Sequence, residues 1–235
     1  MAEEDPTEVA RWASDEARRE YRRDREVQIA AQMTVRRRVA AELVTLDSPL
    51  MRLALHPHVV AAATRYLGVV PILQFVNVYF SRDSGEELSK SQLYHCGSDD
   101  VEQVKVWVLA EPVTPDTGPL TLLSAAESDL VRKTVGYQYD MLLNDEQVSE
   151  ILGEVHVQHQ FLGSSGTVGF IDTSPCFHFG SRFIDPTATR LIVMLQYITP
   201  LSVILPPEYW EHARYREFGR TPGLDDISQM ILGTI

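Results

Sequence analysis

QVKVWVLAEPVTPDTGPLTLLS, residues 103–124, decides the fold. Its first half alternates along its length and is built from the β-branched and aromatic types that fit a pleated, half-buried surface. Proline, aspartate and glycine then break the chain before a short apolar run, LTLLS. The same texture extends outward. Upstream, PILQFVNVYFSR (71–82) crowds aromatic and β-branched residues together; downstream, GTVGFID (166–172) and RLIVMLQYI (190–198) are further short apolar runs. One helix interrupts them: Asn144 is a suitable cap for DEQVSEIL (145–152), acids occupy its first turn, and Gly153 stops it.

Before residue 71 the pattern is helical. Residues 7 to about 45 contain no internal proline or glycine and are rich in Ala, Arg and Glu, which predicts one long helix. Its nine arginines are accompanied by eleven acids between Glu3 and Asp47, the pattern of a solvated face laced with i,i+4 pairs. The Arg36-Arg37-Arg38 cluster could alternatively meet an anionic group. A second helix opens at Asp47-Ser48-Pro49, with Ser48 as cap, Pro57 as the point where it splits or kinks, and Gly68 as its stop.

Helices first and many short strands after them predict a mainly β jelly roll, a double-stranded β-helix with the N-terminal helices packed outside. Residues 1–235 form one domain in this reading: a helical part to 70, a jelly-roll core over 71–200, and a helical tail over 201–235 whose LDDISQMILGTI has apolar spacing suited to covering a sheet. Strands do not alternate with helices and no GxGxxG or Walker-type loop is present, so nucleotide-binding α/β folds lose their main support.

Composition narrows the function classes. The 44% hydrophobic and 23% charged content is that of a globular protein, and a net charge of −12 argues against a nucleic-acid or anionic-membrane partner. Two cysteines cannot build a disulfide framework. With an acidic N-terminus and no 18-residue apolar run, the expectation is a cytoplasmic protein acting on a small molecule.

Two of the seven histidines stand apart. His95 lies in SQLYHCGSDD, a polar turn between strand-like segments, and His178 in DTSPCFHFG, just after the GTVGFID strand. Twelve residues later Arg190 opens an otherwise apolar strand, where a guanidinium is costly unless an anion meets it. Two neutral imidazoles beside a buried cation suit a metal and a dicarboxylate. On residues alone, solvated loop histidines and an edge arginine remain open as the alternative.

The blocks LHPHVVAAATRYLG, SQLYHCGSDDVEQVKVWVLAEPVTPDTGPLTLLS, GSSGTVGFIDTSPCFHFG and RLIVMLQY resemble successive blocks of the phytanoyl-CoA dioxygenase-like family, in the right order from about residue 50 to 198. The resemblance implies a jelly roll with Fe(II) held by an HxD…H triad and 2-oxoglutarate anchored by a strand arginine. His95 and His178 match the two histidines, and Arg190 matches the anchor.

One position departs from that pattern. Where the family has the aspartate of HxD, this chain has Gly97, which offers no side-chain ligand. Three readings follow. The vacancy admits a halide, as in the iron/2-oxoglutarate halogenases that carry HxG or HxA, making chloride a third cofactor. Or Gly97 is a lesion in a former hydroxylase, leaving in the extreme a catalytically silent binding protein. Or Asp99 or Asp100 swings in as a substitute carboxylate. Lys105 and Trp107 share a strand face, as do Asn77 and Tyr79, and Lys105 and Asn77 are expected to line the co-substrate pocket. Gln92 and Tyr94 flank the first histidine, and Gln92 is counted with the co-substrate residues. Cys96 and Cys176 invite a zinc reading without the C-x2-C spacing it needs. His156 and His159 are expected at the surface, and Asp172 to close a turn.

Overall fold

The computed structural model describes residues 5–29, 36–39, 44–83, 85–138, 140–202 and 212–234. The N-terminal helix α1 (Pro6–Ile29) is followed by a short strand β1 (Arg36–Val39), then α2 (Pro49–Ala54) and α3 (Pro57–Leu67). The strand-rich part holds β2 (Ile72–Arg82), β3 (Gln103–Leu109), β4 (Leu120–Leu122), β5 (His159–Phe161), β6 (Val168–Ile171), β7 (His178–Phe179) and β8 (Thr189–Ile198). Helices α4 (Ala125–Val135) and α5 (Asp145–Leu152) lie between β4 and β5, and α6 (His212–Gly219) and α7 (Asp226–Ile231) follow β8.

The strands form two antiparallel sheets, one of five in the order β1-β2-β8-β3-β6 and one of three in the order β5-β4-β7. Period-2 alternation sends the two faces of the larger sheet into different cores. Val104, Val106, Val108, Leu191, Val193 and Leu195 face outward and pack with Ala10, Ala13, Leu50, Leu53 and Val59 of the helices, together with Ile231 and Leu232 from the tail. Trp107, Leu109, Ile192 and Met194 face the smaller sheet and meet Leu120 there. A third cluster, with Phe177, Phe179, Leu123, Val131 and Val148, seats α4 and α5 on the far side of the smaller sheet. Lys105, Trp107 and Met194 of the larger sheet and Leu120 and His178 of the smaller line one cavity.

The helix ends follow the sequence signals. The Ser48 hydroxyl accepts from Met51 N at 3.3 Å, Pro57 separates α2 from α3, and Gly68 ends α3 at φ 70°, a conformation in which glycine carries no Cβ penalty. Two expectations are corrected. The helix predicted over 7 to about 45 stops at Ile29 among the described residues, and Arg36–Val39 is a strand, because it pairs with the edge of β2 in the register Arg36↔Ser81 to Val39↔Val78. Sheet pairing there overrides helical propensity. The mainly β class becomes mixed α/β, since helices contribute more of the described residues than strands do. Helix α4 was not anticipated, although Ser124 and Glu127 form a capping box at its start and Gly136 closes it at φ 62°.

Candidate functional site

His95 and His178 sit opposite one another on neighbouring segments. Their backbones exchange two hydrogen bonds, His95 N to His178 O at 3.1 Å and His178 N to His95 O at 3.0 Å. Directly opposed residues of an antiparallel pair project on the same side, and the ring centroids lie 4.2 Å apart at 49°. Each ring is oriented by the same local device: His95 Nδ1 is 2.9 Å from Leu93 O, and His178 Nδ1 is 3.0 Å from Cys176 O. A carbonyl oxygen only accepts, so Nδ1 carries the proton in both rings. In the neutral imidazole the lone pair is then on Nε2, the arrangement by which metal-binding histidines are commonly fixed.

Both imidazoles open onto a cavity of ≈ 50 Å³ whose wall includes Lys105, Trp107, Ser181 and Arg190. Arg190, at the start of β8, is 3% exposed. It donates from Nη2 to Ser181 Oγ at 2.9 Å and from Nη1 to Gly118 O. Ser181 holds a left-handed backbone, φ 61°, which costs a non-glycine residue about 1–2 kcal/mol. That strain is held by neighbours: Ser181 N donates to Gly118 O at 3.1 Å, and Ser181 O accepts from Gln92 Nε2 at 2.9 Å. Gly118 itself has φ 65°, and a Cβ there would press on the Phe183 ring and on Ser181 Cα at 3.1 Å. The indole N–H of Trp107 is buried with no hydrogen-bond partner among the described residues, which costs roughly 1–3 kcal/mol while unmet. Lys105, Arg190 and the Trp107 indole thus line one small cavity with the two imidazoles.

The structure therefore brings His95, His178, Arg190 and Lys105 together and leaves three other expected residues outside. Gln92 caps a 3₁₀ turn at Lys90–Gln92, accepting from Ser89 N at 3.2 Å, and acts on the cavity only by holding Ser181. Asn77 opposes the cavity residue Met194 across β2 and β8, yet it is not on the wall, and its amide donates to Tyr79 OH at 3.0 Å.

Gly97 is the third. It is buried, its N–H donates to Thr173 O at 2.8 Å, and it does not line the cavity. A Cβ added there would fall inside the contact distance of Gln103 Nε2 and 2.7 Å from Thr173 Oγ1. The side-chain direction expected to be a vacancy is filled. Neither aspartate of the adjacent turn takes its place: Asp99 accepts from Gln196 Nε2 at 2.8 Å, and Asp100 accepts from Thr199 N and Oγ1, each at 2.8 Å. Among the described residues no group of three His, Cys, Asp or Glu side chains is placed to hold a metal ion.

No family model and no curated protein sequence matches the chain. Solved structures do. The non-heme α-ketoglutarate-dependent epimerase SnoN from nogalamycin biosynthesis, in complex with Fe3+, α-ketoglutarate and nogalamycin RO, superposes with a TM-score of 0.52 at 17% identity, over 75% of this chain and 68% of that one. The non-heme monooxygenase ThoJ in its apo form gives 0.52 at 14% identity, over 83% and 71%. This chain shares the fold of these two proteins. At such identities the likeness is one of architecture, and it assigns no residue.

Within that fold, several residues close to the histidines carry no signal in the sequence. Arg182 lies 3.5 Å over the Phe179 ring, donates to Gln92 O at 2.6 Å and forks onto Asp145 at 2.8 and 3.0 Å, tying α5 to the segment after His178. Arg132 of α4 donates to Ser174 O and Pro175 O at 3.1 and 2.9 Å and reaches Cys96 Sγ at 3.3 Å. Burial pushes the Cys96 thiol up to about 11, with Arg132 opposing, so it stays an unreactive thiol at neutral pH. Asp172 does more than close a turn: besides accepting from Ser174 N at 2.8 Å, it accepts from Tyr66 OH at 2.7 Å, anchoring α3. His159 is exposed, as expected. His156 is half-buried, its Nε2 lying 3.3 Å from Tyr94 OH, because Tyr94 is buried beneath that loop.

Proposed function

We propose that this chain is an oxygenase that oxidises an unactivated C–H bond of a small molecule and couples that to conversion of 2-oxoglutarate and O₂ to succinate and CO₂. In this reading His95 and His178 hold Fe(II) through Nε2, and Arg190, with Lys105 beside it, holds the carboxylate of the oxo acid. Bound iron would supply the activation of O₂. The chain's own part is to fix both imidazole tautomers, present a preformed guanidinium, and enclose the reactants between two sheets. The single observation that carries the proposal is the pair of imidazoles, each pinned through Nδ1 and facing the same small cavity as Arg190. The donor set fits two ligand positions, and the carboxylate position of the usual triad has no occupant of that type among the described residues.

That last fact favours a second reading, a binding protein of oxygenase fold without turnover. The halide reading draws less support, since the Gly97 side-chain direction abuts Gln103 and Thr173 and offers no gap there. Anaerobic titration of Fe(II) and 2-oxoglutarate, with and without chloride, tests all three. A visible charge-transfer band that is indifferent to chloride is the expected result, followed by succinate formation on admitting O₂. A band without succinate would leave the binding protein, a band that shifts with chloride would restore the halide, and no band under any condition would overturn the metal site itself.

A further inference from the structure

We infer that Gln103 is a built-in occupant of the third-ligand position, so that the centre is closed to any anion at Gly97, whether a carboxylate of the chain or a halide. The inference rests on the two-histidine reading of the site and concerns a residue that the sequence motif does not contain.

Gln103 opens β3 two residues before Lys105 and four before Trp107, so the period of 2 puts it on the cavity face of the sheet. It is completely buried. Its carboxamide is held from both ends: Nε2 donates to Thr173 Oγ1 at 3.0 Å, and Oε1 accepts from Gln196 Nε2 at 2.9 Å. Gln196, also fully buried, opposes Lys105 across the sheet and donates as well to Asp99 Oδ2, with Gln74 Oε1 alongside. Asp99 belongs to the turn that follows His95 and Gly97. One chain of side-chain bonds thus runs from β2 through β8 and β3 to Thr173, whose carbonyl takes the Gly97 N–H. The buried network is held through Gln196 Nε2, while Gln196 Oε1 has no partner among the described residues, and breaking a member strands its partners away from water. Glycine at 97 is therefore required by the amide next to it, and aspartate there would meet the flank of Gln103 before it reached the histidines.

Two sets of variants of the full chain test this. Gly97→Ala, Gln103→Ala and the double variant are compared by thermal unfolding. Gly97→Ala is expected to lower Tm clearly when Gln103 is present and much less when it is truncated. Mn(II) binding by calorimetry is then measured for the wild type, Gly97→Asp and Gly97→Asp/Gln103→Ala. Gly97→Asp alone should bind no more tightly than the wild type, whereas the double variant should gain about tenfold, as a newly admitted ligand would give. An affinity gain by Gly97→Asp alone equal to that of the double variant, at unchanged Tm, would overturn the inference. If no protein binds Mn(II), the two-histidine reading falls while the unfolding cycle still decides on Gln103: coupled losses uphold it and additive losses refute it.

Discussion

The Arg190 side of the cavity and the Gly97 turn outside it are built on opposite plans. At the Arg190 end a charged side chain is brought into the interior and kept competent by strain: Ser181 in a left-handed conformation, Gly118 where a Cβ would collide, and Gln92 bracing the turn. At the Gly97 turn a neutral carboxamide, linked through Gln196 to the Asp99 carboxylate, fills the space beside the glycine. A guanidinium offers a full charge to a carboxylate that reaches it, whereas a carboxamide offers only neutral N–H donors. The Arg190 side is stereochemically demanding at Ser181 and Gly118, and the turn is tightly packed around Gly97.

The sharpest way to break the comparison is to remove what both ends serve. His95→Ala and His178→Ala should each abolish measurable Mn(II) binding in a calorimetric titration, while circular dichroism keeps the wild-type spectrum; full occupancy in either variant would remove that residue from the ligand set. Next in size is Arg190→Ala. Losing a charge-assisted contact worth about 1.5–3 kcal/mol should raise the Kd for 2-oxoglutarate roughly 10–100-fold, measured in the presence of Mn(II), with little change in metal affinity alone. Smaller again is Gly118→Ala, which adds a Cβ at φ 65° against Ser181: a loss of about 1–2 kcal/mol in denaturant unfolding, together with a several-fold weaker 2-oxoglutarate complex. Leu195→Ala sharpens the comparison from outside. It opens a hole on the helix-packed face and should cost about 2–5 kcal/mol of stability, yet leave metal and oxo-acid affinities of the folded protein unchanged.

Legibility in the sequence followed the range of the interactions. Strands β2, β3, β6 and β8 announce themselves because alternation and β-branched content are local, and α2, α3 and α5 because their caps lie within four residues. The Arg36–Val39 strand does not, since its partner is forty residues away on β2 and its own composition favours helix. The same divide runs through the site. His95, His178 and Arg190 are legible through motif and chemistry. Gln103, Thr173 and Gln196 are ordinary polar residues in their own segments; the register of β3 against β8 brings Gln196 beside Gln103, and a backbone bond brings Thr173 beside Gly97. Gly97 therefore reads as an empty place in the sequence and is a filled one in the fold.

The most direct test of the two-histidine, one-arginine account is Mn(II) affinity measured with and without 2-oxoglutarate, in the wild type and in Arg190→Ala. Among the described residues no carboxylate is placed beside the two histidines, so in this account the oxo acid would supply the anionic ligands, and 2-oxoglutarate should tighten Mn(II) binding strongly in the wild type and far less in Arg190→Ala. Mn(II) affinity that is indifferent to 2-oxoglutarate in the wild type would contradict it, because the metal and the anion would then not share this cavity.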